Sequence, residues 1–242
     1  MLTPSSNTVL EPVTSEIVAG IANVSAHFSR FRVTQIGLSD ADNKQFTHAE
    51  IVRAAGLLAD AKVGVICWNG TSASWLGFEN DEQLCAEIES ATGILACTST
   101  LAFREIFDRT KITKVGLVTP YTGDVQERIV ANWAAAGIVC SGERHMSLTD
   151  NFSFSTVAKE TIAEMVKDVA RTKCDAVAVV CTNLDAATIA AELEREIGCP
   201  VYDSIAVTIW KSLELVDCDP GLLSGWGGPF RIPELRKTGA RA

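Results

Sequence analysis

The chain has 242 residues, of which 47% are hydrophobic and 21% charged, so it is too apolar to be disordered and fits one large α/β unit or two small lobes. Lys and Arg number 21 against 30 Asp and Glu, a formal charge of −9, and without a basic stripe this balance argues against nucleic acid as a partner. Since no run approaches the roughly 18 apolar residues of a membrane span and no signal-peptide pattern opens the chain, we expect a cytoplasmic protein that does not bind membranes and keeps its cysteines reduced.

Short apolar runs alternate along the chain with longer segments of helical period. In chain order, the predicted strands cover residues 33–38, 63–67, 115–119, 138–140, 176–180 and 200–202. The predicted helices cover residues 48–60, 81–91, 99–109, 124–136, 156–172 and 185–197. Such alternation is typical of parallel sheets with crossover helices. The sequence therefore predicts a doubly wound α/β fold.

A repeat of about 110 residues emerges when the ends of the strands are compared. The matching pairs are 2–6 with 118–122, 63–71 with 175–183, and 92–95 with 197–200. Chance similarity between α/β units is the alternative, but the three pairs keep the same order. We predict two similar parallel-sheet lobes related by a pseudo-two-fold axis, with the active site in the cleft between them. The first lobe would comprise residues 1–112 plus 207–242, and the second residues 113–206.

Four loops should face this cleft, because ligands bind beyond the carboxyl ends of strands in open α/β sheets. These loops are residues 4–8, 69–74, 120–124 and 181–184, and they are rich in Ser, Thr and Asn. For any single residue, capping of the following helix is the expected role. As a set, the loops predict a site that binds carboxylate oxygens through hydroxyls and backbone N–H groups at helix N-termini.

Eight cysteines are the most unusual part of the composition. They lie at positions 67, 85, 97, 140, 174, 181, 199 and 218. No Cys-x-x-Cys pair occurs and the chain has three His, so the sequence predicts no metal site. Cys67, Cys97 and Cys140 lie in apolar runs and are expected to be small buried residues. Cys181 differs from the others because it lies in one of the four loops.

These loops resemble those of the aspartate/glutamate racemase superfamily, in the branch that contains maleate cis–trans isomerases and arylmalonate decarboxylases. The motifs are Pro4-Ser5-Ser6-Asn7-Thr8, Gly70-Thr71-Ser72-Ala73-Ser74, Tyr121 followed by Asp124-Val125-Gln126-Glu127-Arg128, and Cys181-Thr182-Asn183. The resemblance covers nearly the whole chain. It implies an enzyme without a cofactor that acts at the alpha carbon of a small dicarboxylate.

The chain departs from the typical racemases of this superfamily, which carry one catalytic cysteine in each lobe. Cys181 matches the second-lobe cysteine, whereas the first-lobe position is Gly70. Cys67, three residues earlier, is expected to be buried in its strand. Arylmalonate decarboxylases have the same glycine, in a similar Gly-Thr-Ser-x-Ser run. Maleate isomerases share the Pro-Ser-Ser-Asn loop but use the first-lobe cysteine as nucleophile.

By this resemblance, the favoured reaction is decarboxylation of a malonate-type diacid, in which departure of carbon dioxide leaves an enediolate. Thr71, Ser72 and Tyr121 would stabilise the oxyanion, and Cys181 would deliver the proton. The residues expected to bind the substrate are Pro4, Ser6, Asn7, Gly70, Thr182 and Asn183. Trp75, Leu76 and Phe78 would either line an apolar pocket or form ordinary core. A catalytic Cys181 is expected to be partly exposed near helix-terminal N–H groups and to react readily with alkylating reagents.

Two other classes of function stay open. A maleate-type isomerase needs a nucleophile, which Cys181 could supply, and an Asp/Glu-like racemase needs a base on each face of the substrate. A dicarboxylate-binding protein without activity is the third class. The side group of the substrate, the stereochemistry and the oligomeric state are also open, and a homo-oligomer is one of the options.

Overall fold

Two four-stranded parallel sheets form the centre of the protein in a computed structural model that describes residues 1–232. The strands of the first sheet are β1 (Leu2–Pro4), β2 (Ser29–Phe31), β3 (Ile66–Trp68) and β4 (Ala96–Thr98). Those of the second are β5 (Lys114–Thr119), β6 (Val139–His145), β7 (Ala176–Val179) and β8 (Val201–Asp203). The strand orders are β2-β1-β3-β4 and β6-β5-β7-β8. Because the second order repeats the first four strands later, the predicted α/β class with two similar lobes is confirmed.

Helices cover both sheets. They are α1 (Leu10–Val18), α2 (Asp40–Asn43), α3 (His48–Asp60), α4 (Ala73–Leu76), α5 (Phe78–Thr92), α6 (Ser99–Thr110), α7 (Gly123–Ala135), α8 (Lys159–Ala170), α9 (Ala187–Ile197) and α10 (Ser204–Leu215). Gly93 and Gly198 end α5 and α9 with φ of 71° and 74°, a left-handed conformation that favours glycine. Within the described residues, no helix is long and apolar enough to cross a membrane.

The segment 33–38 is the clearest error of the sequence prediction, because it is not a strand of either sheet. The strand β2 lies earlier, at Ser29–Phe31, and pairs with β1. Val33 and Ile36 are buried, while Gln35 makes an isolated antiparallel bridge with Asp150 of the second lobe. The apolar residues of this segment are therefore buried where the two lobes meet, and they do not alternate across a sheet.

The chain returns to the first sheet after β8. There α10 packs against α6, α1 and β4, and it buries nine of its residues. The helix α10 also contacts β8 and α9 of the second lobe, and the predicted lobe boundaries stay a prediction. The predicted positions 233–242 of the first lobe lie outside the described residues.

The eight cysteines are all free thiols. Cys67 and Cys97 are buried neighbours in the register of β3 and β4, and the Cys67 Sγ lies 2.7 Å from the Ser212 Oγ. Cys67 is thus held in its strand, as expected, whereas Cys140 is only half-buried. Among residues 1–232, no group of three or more His, Cys, Asp or Glu side chains is arranged to hold a metal ion.

Candidate active site

The loops that follow β1, β3, β5 and β7 meet between the two sheets. Asn7 Nδ2 donates hydrogen bonds to the carbonyl oxygen and the Oγ1 of Thr182, both at 3.1 Å. The Thr182 hydroxyl in turn donates to the carbonyl oxygen of Asn69 at 3.1 Å. The hydroxyls of Thr71 and Tyr121 lie 2.8 Å apart. Since each bond joins one lobe to the other, the four predicted loops form one junction.

A small cavity lies at this junction, with a volume of about 20 Å³. Its lining combines polar groups with apolar side chains. The lining residues are Pro4, Val33, Ile36, Phe46, Trp68, Gly70, Thr71, Ser72, Trp75, Tyr121, Asn151, Cys181 and Thr182. A cavity of this volume accommodates about one water molecule. The two lobes are therefore closed on each other, and the cavity between them is too small for a dicarboxylate.

Cys181 is buried in this lining and is 3% exposed. Burial raises the pKa of its thiol to about 12, although the Asn183 N–H and the Tyr121 hydroxyl act in the opposite direction. The Asn183 N–H donates to the Cys181 Sγ at 3.3 Å. The expected N–H contact is present, but the expectation of a partly exposed thiol is wrong. At neutral pH the sulfur carries its proton, so its chemistry is that of an acid.

Tyr121 brings a second buried donor to the cavity. Its ring packs edge-to-face against Trp75 at 5.3 Å and Phe154 at 5.7 Å. Burial raises the pKa of the phenol well above its ordinary value, so the hydroxyl keeps its proton. Beside Thr71, α4 begins at Ala73, and the first N–H groups of a helix have no partner within it. Neutral hydrogen-bond donors are thus concentrated on this part of the lining.

Gly70 has no room for a side chain. A Cβ built on it would lie 1.9 Å from Cζ2 of Trp68. The Trp68 indole is 1% exposed and packs against Phe31 and Phe46, with ring centroids 5.0 and 6.5 Å away. The first lobe therefore presents an indole, and not a thiol, where the superfamily resemblance implies a cysteine.

Three of the predicted substrate-binding residues are not part of the cavity lining. Asn7 Oδ1 accepts hydrogen bonds from the backbone at the start of α1, which is a helix-capping role. Asn183 Nδ2 donates to the carbonyl oxygen of Asn151 at 2.5 Å, and the Ser6 hydroxyl donates to the carbonyl oxygen of Val33 at 2.7 Å. The predicted contact of these three side chains with substrate stays a prediction, while their present contacts hold the lining loops in place.

Asp203 is a buried carboxyl group near the thiol that the sequence did not indicate. It ends β8 and accepts hydrogen bonds from the backbone N–H groups of Ile205 and Ala206, at 2.7 and 3.1 Å. Burial raises the pKa of Asp203 to about 7. Its negative charge, when present, raises the pKa of Cys181 further. An ionised Asp203 therefore disfavours the thiolate form of Cys181.

The comparison with protein families decides the relationship. The family model "arylmalonate decarboxylase" matches residues 8–225. The chain belongs to the arylmalonate decarboxylase family. The arylmalonate decarboxylase of Bordetella bronchiseptica is 26% identical over 183 residues, which cover 74% of this chain and 76% of that protein. The maleate isomerase of Nocardia farcinica is 26% identical over 234 residues, which cover 91% and 92% of the two chains.

Solved structures confirm the fold of this arylmalonate decarboxylase family member. The Nocardia farcinica maleate cis–trans isomerase, as a cysteine-to-serine mutant with a covalently bound succinylcysteine intermediate, matches with a TM-score of 0.87 and 21% identity over 96% of this chain and 97% of that one. An arylmalonate decarboxylase structure matches with a TM-score of 0.72 and 22% identity, covering 96% and 98%. The predicted superfamily branch is confirmed, and the two predicted activities are those of its relatives.

The family resemblance did not indicate every residue that lines the cavity. Trp68, Asn151, Val33, Ile36 and Phe46 were missed. The Asn151 side chain donates to Ser6 Oγ at 2.8 Å across the lobes, a long-range contact without a local sequence signal. Among three apolar candidates, Trp75 lines the cavity, whereas Leu76 and Phe78 are not part of the lining.

Proposed function

We propose that this family member is a cofactor-independent decarboxylase of a small malonate-type diacid, in which Cys181 protonates the enediolate. One observation carries the proposal: the cavity lining has a single thiol, Cys181, and burial raises its pKa to about 12. The first-lobe position of the second cysteine is Gly70, closed by Trp68. A protonated thiol without a partner thiol suits a reaction that needs one proton donor.

The reaction would proceed in two steps. First the bond between the alpha carbon and one carboxyl group breaks, carbon dioxide leaves, and the electron pair passes to the remaining carboxylate as an enediolate. The apolar lining of Val33, Ile36 and Phe46 would weaken hydration of the leaving carboxylate. The donors of Thr71 and Tyr121 would stabilise the oxyanion. Cys181 S–H then protonates the alpha carbon, and solvent returns a proton to the sulfur.

A maleate-type cis–trans isomerase is the second candidate, because the Nocardia farcinica enzyme matches more of the chain than the Bordetella bronchiseptica decarboxylase does. Covalent addition to an alkene needs a thiolate. Cys181 holds its proton at neutral pH, and Gly70 supplies no nucleophile. The chemistry of the lining therefore favours decarboxylation.

Three further proposals accompany this one. The lobe boundaries 1–112 plus 207–242 and 113–206 are supported by the packing of α10 on α6 and β4. A reducing compartment, the cytoplasm, is supported by eight free thiols. The partner of the site would be a small dicarboxylate.

The decisive experiment is an assay of the wild type and Cys181→Ala on substituted malonates, maleate, aspartate, glutamate and hydantoins in D2O. We expect carbon dioxide release from a malonate, with one deuterium at the alpha carbon of the product. Cys181→Ala should lower this rate by roughly 10²- to 10⁴-fold. The matched control is Cys140→Ala, a second-lobe thiol outside the cavity lining, which should retain activity. Turnover of maleate, or deuterium exchange without carbon dioxide release, would support isomerase or racemase chemistry instead.

A further inference from the structure

Trp68 is the last residue of β3. Its indole occupies the space next to the Gly70 Cα. A Cβ on Gly70 would lie 1.9 Å from Cζ2 and 2.2 Å from Cε2 of this indole. Nε1 is bonded directly to Cε2, so the N–H is at the same edge of the ring. The benzene edge of the indole therefore occupies the space where the first lobe would otherwise present the side chain of residue 70, and Nε1 is one bond away from that edge.

This N–H is an unused hydrogen-bond donor. Within the described part of the chain, Trp68 Nε1 is buried without a hydrogen-bond partner, although Trp68 lines the cavity. The aromatic rings of Phe31 and Phe46, packed against it, supply no oxygen or nitrogen acceptor. Buried N–H groups are almost always paired, because an unpaired one costs free energy. An indole nitrogen can only donate, so its partner must be an acceptor.

We infer that Trp68 Nε1 donates a hydrogen bond to a carboxylate oxygen of the substrate, from the lobe that lacks the catalytic thiol. The hydrogen bond between the Thr71 and Tyr121 hydroxyls, at 2.8 Å, uses the proton of one of them, whereas the indole N–H is free to bind. A hydrogen bond to a charged acceptor is stronger than one between neutral groups. Trp68 would thus be a substrate-binding residue as well as the group that excludes a side chain at position 70. The inference rests on the proposed function in one respect, which is that the ligand carries a carboxylate.

The test is an NMR titration of the whole chain, labelled with ¹⁵N in its indole groups, with phenylacetate as the probe. Phenylacetate carries one carboxylate, is the product expected from phenylmalonate, and cannot itself lose carbon dioxide by this route. Trp68→Phe identifies the resonance. If that variant does not fold, Trp→Phe variants at the four other tryptophans identify it by elimination. We expect the Trp68 N–H resonance to move downfield on saturation, and Trp68→Phe to weaken the affinity for phenylacetate by roughly 10- to 100-fold.

Trp133 is the matched control. It is fully buried, its Nε1 also lacks a partner among the described residues, and it packs against Phe103 and Phe107 at 5.8 Å. It does not line the cavity, so its resonance should stay in place and Trp133→Phe should bind phenylacetate normally.

The outcomes separate this inference from the proposed function. If phenylacetate binds while the Trp68 resonance stays fixed, or if a folded Trp68→Phe binds and turns over as the wild type does, the inference is wrong and the decarboxylase proposal stands. If the resonance moves but no malonate releases carbon dioxide, the inference stands and the proposed function fails. If neither phenylacetate, malonate nor maleate perturbs any resonance at millimolar concentration, the cavity takes no carboxylate and both are overturned.

Discussion

The Cys181 thiol differs from an ordinary exposed cysteine in its burial and in its pKa, which burial raises to about 12. A proton donor with this pKa keeps its proton throughout the neutral range, whereas a nucleophile would have to lose it. The two candidate reactions therefore predict different responses to pH. An acid that stays protonated gives a rate that does not change with pH, and a thiolate mechanism gives a rate that rises about tenfold per pH unit below the pKa.

We expect the rate of carbon dioxide release to stay constant between about pH 8 and 10. This range lies above the pKa of Asp203 and below the pKa of the Cys181 thiol, so neither group changes its charge within it. We also expect iodoacetamide to alkylate Cys181 slowly in the native protein and rapidly in denaturant, because only a thiolate reacts. Stopped assays across this pH range and mass spectrometry of the alkylated peptides measure both. A rate that climbs with pH, together with early labelling of Cys181, would contradict the role of this residue as an acid.

At the level of helices and strands, several segments with a clear apolar pattern could be predicted, whereas α1 and α10 were not predicted. The helix predicted at 48–60 is found as α3, His48–Asp60, because its apolar residues repeat at helical spacing. The strands β1 and β4 have three residues each, too few to show a period, and β4 was missed. The loop motifs placed Thr71, Tyr121 and Cys181 together because they follow strands. The place of Trp68 in the cavity lining could not be predicted, since it depends on how the indole packs against the loop that follows it.

The carboxylate at the start of α10 gives a prediction for this element. Burial raises the pKa of Asp203 to about 7, above the unfolded value near 3.9. Between about pH 4 and 7 the native state thus binds more protons than the unfolded state, and stability falls as pH rises. We expect Asp203→Asn, which retains an oxygen to cap α10, to remove roughly 1.4 kcal/mol per pH unit of this decline.

Denaturant unfolding of both proteins across this range measures the slope. Asp81 is a second buried carboxyl with its pKa raised to about 7 by burial, so part of the decline should persist in Asp203→Asn and disappear when Asp81→Asn is added. Parallel curves for wild type and Asp203→Asn would show that Asp203 ionises normally in the folded protein.

For the whole molecule, we predict that access to the cavity requires the two lobes to separate, and the bridge between Gln35 and Asp150 is one contact that must then open. The cavity holds about 20 Å³, and the segment that contains Gln35 covers it from the first lobe. The bridge between Gln35 and Asp150 is held by two backbone hydrogen bonds, Ile36 N–H to the Thr149 carbonyl at 2.8 Å and Asn151 N–H to the Thr34 carbonyl at 2.9 Å. We call this bridge the clasp, and we predict that it must open before a dicarboxylate reaches Cys181.

A disulfide across the clasp tests this requirement. Gln35 and Asp150 are both exposed, and their hydrogen bonds flank the pair, which is the narrow kind of antiparallel pair with Cα atoms about 4.5 Å apart, within disulfide range. We expect the oxidised Gln35→Cys/Asp150→Cys protein to lose nearly all turnover and to regain it with a thiol reductant. The wild type and each single variant, oxidised in the same way, control for the eight native thiols. Full activity of the cross-linked protein would show that substrate reaches the thiol by a route that leaves the clasp closed.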